Sequence, residues 1–295
     1  TPLYSSAASD VYKRQSQAFV VRLVAGVALF LAFCGVERRK PHPMLDLSLF
    51  AAPAFLGAVI AMFAYAASAQ VMASLLPLFL QNAKGQTALM AGLGMLPFAL
   101  AMLAFPQIGR RLSRYLKSPQ ILVLGLAIVG AGNLAMMVAA TQHSEWLLVA
   151  SMALLGSGGG LLNGETTKAI MGTVPRHRAG MASGISTTAR FSGILLGFAS
   201  LGAVLASAVR SAIQAGMLRA GIPLQAGFAD DVVAGDLERA KALYPHALGE
   251  TLVSLAHDSY GQGFSNAFLA AAVLALLASL AVGVLMRGAV SGAPR

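Results

Sequence analysis

The stretch LLVASMALLGSGGGLLNGETTKAIMGTVPRHRAG, residues 147–180, poses the central problem of this chain. Residues 147–171 are long enough to cross a ~30 Å hydrocarbon layer at 1.5 Å per residue. They are apolar except for a few polar side chains and one close pair of charges, the carboxylate Glu165 and the ammonium Lys168. Ionised groups at bilayer depth are costly and usually face the interior of a helical bundle. The glycines at 156 and 158–160 suit close helix packing or a locally loosened backbone.

The same apolar pattern recurs along the chain. Of its 295 residues, 57% are hydrophobic and 11% charged, and the mean hydropathy is +0.72. A soluble domain carries about 25% charged residues, so a water-soluble fold is excluded. Seven runs are long enough to span: 19–36, 51–79, 87–109, 120–140, 147–171, 180–208 and 264–286. The fold class is therefore all-α, a polytopic transmembrane helical bundle. The first fifteen residues, TPLYSSAASDVYKRQ, lack a signal-peptide pattern and resemble translated adaptor sequence. Residues 1–16 are set aside as a non-native or disordered leader, and the chain is expected to be a fragment missing its beginning.

The net charge of +10 sits beside the spans and needs no nucleic-acid partner. Alternate loops hold eleven and five Lys or Arg residues, and four of the five lie in the long segment 209–263. By the positive-inside rule the Arg-rich loops and the C-terminus face the cytoplasm, and loop 209–263 lies outside. Its middle, DLERAKALYPHALGETLVSL, reads as a solvated connector with short amphipathic helices on the bundle, or as a substrate cap. The lone cysteine, Cys34, excludes an intrachain disulfide. All five histidines fall in connecting segments without ligand spacing, so no metal site is expected.

Three segments carry a family resemblance: GVERRKPHPMLDLSLF (35–50), LLPLFLQNAKGQTALMAGLGMLPFAL (75–100) and GTVPRHRAGMASGISTTARFSGILLGFA (172–199). They resemble the second half of major facilitator superfamily transporters, most closely the fourteen-span drug–proton antiporter branch, over about residues 19–290. Glu37, Arg38, His42 and Pro43 match the segment that joins the central linker spans to the second six-helix domain. The resemblance implies a linker span and cytoplasmic loop over 17–48, a six-helix C-terminal transporter domain over 49–288, and a tail over 289–295. It also implies a bacterial inner-membrane location, small hydrophobic or cationic substrates, no cofactor beyond a proton gradient, and a missing N-terminal half of the same protein that holds the rest of the substrate path. In GRRLSRYLKS (109–118), Gly109, Arg114 and Lys117 fit the superfamily's cytoplasmic gating loop, whereas Ser113 replaces its Asp and Leu116 its Gly. A plain positive-inside anchor is the competing reading.

Of eleven acidic residues only Glu165 lies in a predicted span. Counted along neighbouring antiparallel helices, Glu165 and Arg190 are expected at a shared depth near the midplane. Ser183, Ser186, Thr187, Arg190, Gly193 and Gly197 form a polar and small stripe at steps of three and four. Glu165 is the expected proton-titrating carboxylate, with Arg190 or Lys168 as the cation that approaches and withdraws. The alternatives are a static Glu165–Lys168 pair or a Glu165–Arg190 staple. Gln70, Asn163, Thr166 and Thr187 are expected to line the substrate path, with helix–helix hydrogen bonding as the alternative for Gln70.

The chain is not expected to be an enzyme. No paired carboxylates, HExxH spacing or intramembrane histidine is present, and GSGGG lacks the Lys-Ser/Thr of a phosphate loop. A membrane enzyme, or a non-transporting subunit binding through loop 209–263, remains the rival without a supporting feature.

Overall fold

The computed structural model describes residues 21, 24–26, 28–29, 31–32, 35–36 and 47–287, apart from 143, 176 and 177. Most of the first expected span, Cys34, the Glu37–Arg38–His42–Pro43 match, the leader and the tail fall outside the described residues. The chain divides into two units, Thr1–Ala51 and Ala52–Arg295. In the first, the residues described between 21 and 36 are helical, and a 3₁₀ turn covers Leu47–Ala51.

The second unit holds six helices long and apolar enough to cross a membrane, and no strand among its described residues. They are α1 Pro53–Asn82, α2 Ala88–Leu112, α3 Ser118–Thr141, Glu145–Gly172, α6 Ala179–Ala220 and α9 Gly249–Leu285. The fourth is two helices, α4 Glu145–Leu162 and α5 Glu165–Gly172. Local chemistry starts four of them. Thr87 and Ser144 accept from Met90 N and Leu147 N as N-caps, and Pro53 and Pro119 sit in first turns where a missing N–H costs nothing.

Spans α1, α3 and the fourth are the most covered, whereas α2 packs along α4 on one side and is otherwise exposed. The glycines of GSGGG set the spacing. A Cβ at Gly158 would meet Val129 N at 2.7 Å on α3, and one at Gly160 would meet Met102 O at 3.0 Å on α2. At the far end from the arginine loop, Lys84 Nζ donates to the α3 carbonyls of Ala139, Ala140 and Gln142 at 3.2, 3.4 and 2.7 Å. It thus supplies the partners that helix end lacks. Partial burial pulls its pKa down.

The structure departs from the sequence-based spans in three places. Helix α6 continues for 42 residues and α9 for 37, so the expected loop 209–263 shrinks to 221–248. The helical continuations are amphipathic: Val209, Ile213 and Met217 are buried, as are Leu252, Ala256 and Tyr260. A hydropathy window averages that stripe away. Gly221, at φ 67°, ends α6. The remaining connector folds back as α7 Phe228–Val233 and α8 Leu237–Lys241, over a small core where Phe228 meets Tyr244 edge-on at 5.2 Å. The second departure is a break in span 147–171. The third is a π-helical turn, Ala66–Gln70, inside α1.

Tyr260 fastens the connector, its hydroxyl donating to Val232 O at 2.5 Å and approaching Val233 O at 3.2 Å. Tyr260→Phe removes a net ~1–1.5 kcal/mol. Amides 228–236 are then expected to exchange about tenfold faster by mass spectrometry, with the spans unchanged. Equal exchange in both proteins would show that this bond does not hold the connector.

Candidate functional site

The break in the fourth span is a two-residue turn. Asn163 has φ −64°, ψ 114° and Gly164 φ 86°, ψ −35°, close to the central pair of a type II turn, whose second position needs glycine. A turn at this depth exposes a carbonyl that lipid cannot satisfy. Thr166 covers it: fully buried, its hydroxyl donates to Leu162 O at 3.1 Å. Thr166 therefore stitches the backbone from a fully buried position.

Glu165 opens α5. Its Oε1 accepts from Ser118 Oγ at 2.5 Å, and both carboxylate oxygens lie 3.3 Å from Lys168 Nζ. The carboxylate is mostly covered (12% exposed) and the ammonium is not (60%). Ser118 is the first residue of α3, directly after the arginine-rich loop. Glu165 therefore lies at the arginine end of the bundle and not at the midplane. The sequence estimate counted residues from Val174 as though one straight helix led there, and the turn at Asn163–Gly164 ends that continuity. The trio of Glu165, Lys168 and Arg190 does not assemble. Lys168 pairs with Glu165, while Arg190 belongs to a different cluster.

That cluster joins three helices. Arg190 lies about 17 Å along α6 from Ala179, and Tyr65 about 18 Å along α1 from Pro53; both helices begin at the arginine end. The Arg190 guanidinium and the Gln70 amide approach the fully buried Tyr65 hydroxyl without closing a hydrogen bond on it. Arg190 Nη2 also reaches Asn163 Oδ1 on the broken span, at 3.5 Å. Tyr65 Oη, Gln70 Oε1 and Arg190 Nε are buried atoms without a hydrogen-bond partner among the described residues. The π turn brings Tyr65 and Gln70 together. Five residues apart, they would diverge by about 140° on a regular α-helix at ~100° per residue, whereas a turn closed by Val71 N to Ala66 O restores them to one face.

The expected Gly193–Gly197 approach is present and packs α6 against this turn. A Cβ at Gly193 would meet Phe63 O at 2.6 Å, and one at Gly197 would meet Ala67 O at 2.8 Å. Ser186 Oγ reaches Thr167 Oγ1 at 3.4 Å and ties α6 to α5, while Thr187 is exposed. Of the gating-loop candidates, Gly109 packs on the Leu161 side chain at 3.4 Å from a built Cβ. Arg114 and Lys117 are exposed in the turn, where Lys117 N donates to Gln120 Oε1 at 2.9 Å.

Among the candidates, then, the structure joins Gln70, Asn163 and Arg190, and separates Glu165 with Lys168. It adds Tyr65 and Ser118. Tyr65 carried one signal, a lone phenol in an apolar span. Ser118 carried none, since a serine beside an arginine-rich loop reads as solvent-facing. Chemically, the cluster offers a guanidinium, a phenol and a carboxamide. Among the described residues no three His, Cys, Asp or Glu side chains are placed to hold a metal.

Residues 7–198 match the family model described as Major Facilitator Superfamily. Among curated proteins, the chain is 35% identical over 205 residues to multidrug resistance protein Stp of Mycobacterium tuberculosis strain H37Rv, covering 69% of this chain and 38% of the relative. It is 30% identical over 272 residues to multidrug efflux pump LfrA of Mycolicibacterium smegmatis, covering 92% and 52%. To the methylenomycin A resistance protein of Streptomyces coelicolor it is 26% identical over 190 residues, covering 64% and 39%. The chain spans about half, or less, of the length of these relatives.

Proposed function

Because this chain belongs to the major facilitator superfamily, we propose that it is the C-terminal part of a proton-coupled secondary transporter that exports small molecules. It works with an N-terminal half of the same protein in a bacterial inner membrane. One observation carries this reading. Two helix discontinuities, the π turn of α1 and the Asn163–Gly164 turn, converge with Arg190 on one cluster of incompletely paired polar groups. Discontinuous helices commonly form the polar binding locus of secondary transporters, between two repeats that rock against each other. The exposed side of α2 and the exposed Phe191, Leu195 and Leu196 of α6 are the surface such a second bundle would cover. The relatives' names, two with multidrug and one with resistance to a single antibiotic, support export of small molecules. The charge asymmetry supports a cytoplasmic arginine end and C-terminus.

In this reading Glu165 carries the proton and Lys168 is the cation that competes with it, near the cytoplasmic surface. The exposed Lys168 can swing away without losing other bonds, and Ser118 then remains as the donor to the carboxyl. The experiment joins this chain to an upstream six-helix half in proteoliposomes. Glu165→Gln is expected to reduce efflux driven by an imposed pH gradient by about tenfold or more, equivalent to ~1.4 kcal/mol. Substrate exchange without a gradient should persist. Undiminished gradient-driven efflux removes Glu165 from coupling.

A further inference from the structure

We propose that Arg190, with Tyr65 and Gln70, is the seat of an anionic substrate group, a carboxylate or a similar oxyanion. This names the substrate class of the proposed transport site and departs from the hydrophobic or cationic substrates that the resemblance implies, because no acid lies in the cluster to favour a cation. The acid is elsewhere: Glu165 is held by Ser118 and Lys168. The deep cluster contains a positive charge and no negative one, and among the described residues Arg190 forms no ion pair. An intramembrane guanidinium pairs with a counter-ion or other polar groups, and the present partner of this half-buried one is a carboxamide oxygen at 3.5 Å, at the edge of a hydrogen bond, which leaves its charge uncompensated.

The surrounding groups fit an oxyanion. The Nε–H of Arg190 is buried and unpartnered, so a donor remains for a carboxylate's planar, two-oxygen geometry. The Tyr65 hydroxyl, also unpartnered, is a second donor at the same depth. Gln70 can present its amide N–H groups in the same direction. A cationic ligand would instead face a fixed like charge in a low-dielectric setting, which is strongly repulsive.

The test uses this chain itself in nanodiscs of neutral lipid, with two aryl probes of similar size and opposite charge: radiolabelled benzoate and benzyltrimethylammonium, measured by scintillation proximity. Benzoate is expected to bind saturably, the ammonium probe not to compete, and Arg190→Gln to weaken benzoate by about tenfold or more. Arg190→Lys should retain part of the binding, and Tyr65→Phe should weaken it severalfold. Equal binding of the two probes, or benzoate binding indifferent to Arg190→Gln, overturns the proposal. If Arg190→Gln does not purify as a folded protein, competition between the probes on the unmodified chain decides alone. Loss of benzoate binding on joining the chain to its upstream half would also overturn it, assigning the oxyanion to an internal side chain. No gradient is used, so a failure of Glu165→Gln to uncouple transport leaves this result independent.

Discussion

Gly156→Val is expected to leave the chain largely unable to hold α2 against α4, with a loss of about 3 kcal/mol. A Cβ at Gly156 would press on the backbone carbonyl of Phe98, with the carbonyl carbon and Cα both at 3.1 Å. Those atoms are helix backbone, so relief requires moving α2 as a body. In a bilayer, packing rather than water exclusion holds helices together, and a wedge removes many dispersion contacts at once. The control lies three residues on. A Cβ at Gly159 meets nothing within 4 Å, so Gly159→Ala should be neutral or stabilising by about 0.5–1 kcal/mol, because alanine loses less backbone entropy in a helix. Unfolding in bicelles, followed by denaturant titration, separates the two outcomes. Equal midpoints for Gly156→Val and the parent chain would refute the glycine-interleaved packing of GSGGG.

Phe79→Ala is the second large effect. Phe79 is fully buried on α1 and meets Phe264 and Phe268 of α9 edge-on at 5.2 and 5.8 Å. The Lys84 ammonium sits 5.8 Å from its ring centre. Deleting a core phenylalanine costs about 3–5 kcal/mol in soluble proteins. In lipid the transfer part of that cost shrinks, because the freed surface meets hydrocarbon rather than water. The cavity and the two edge-to-face pairs remain, which leaves about 2–3 kcal/mol. The loss should localise between α1 and α9 and increase exchange at the Lys84 turn. A full 4–5 kcal/mol would mean that the unfolded reference state is hydrated, whereas a loss below 1 kcal/mol would mean that the ring cluster contributes little to docking.

The bundle's helices were legible because length and apolarity alone specify a span, and six of the seven runs coincide with helices. The polar stripe of α6 and its two packing glycines were legible for the same reason, periodicity. The site was only half legible. AASAQ (66–70) has the composition of ordinary helix, and nothing in it reveals the π turn that lies against Gly193 and Gly197. The turn at Asn163–Gly164 had its signal in the Asn-Gly pair, but within a long apolar run that pair was outweighed by hydropathy. Missing it placed Glu165 too deep and level with Arg190, whereas the Glu165–Lys168 pair, also read from the sequence as an alternative, is present. The helical extensions past residue 208 were lost because a half-buried stripe averages to neutral.

The 42-residue length of α6 makes the helix a lever. Arg190 lies about 45 Å from the tip at Ala220, so a tilt of about 10° pivoting near that arginine sweeps the tip through about 8 Å, at 1.5 Å rise per residue. The docked connector and the start of α9 travel with it. A motion too small to resolve among the buried side chains is thus magnified into a displacement that a pair of spectroscopic labels on the exposed tip can follow in real time.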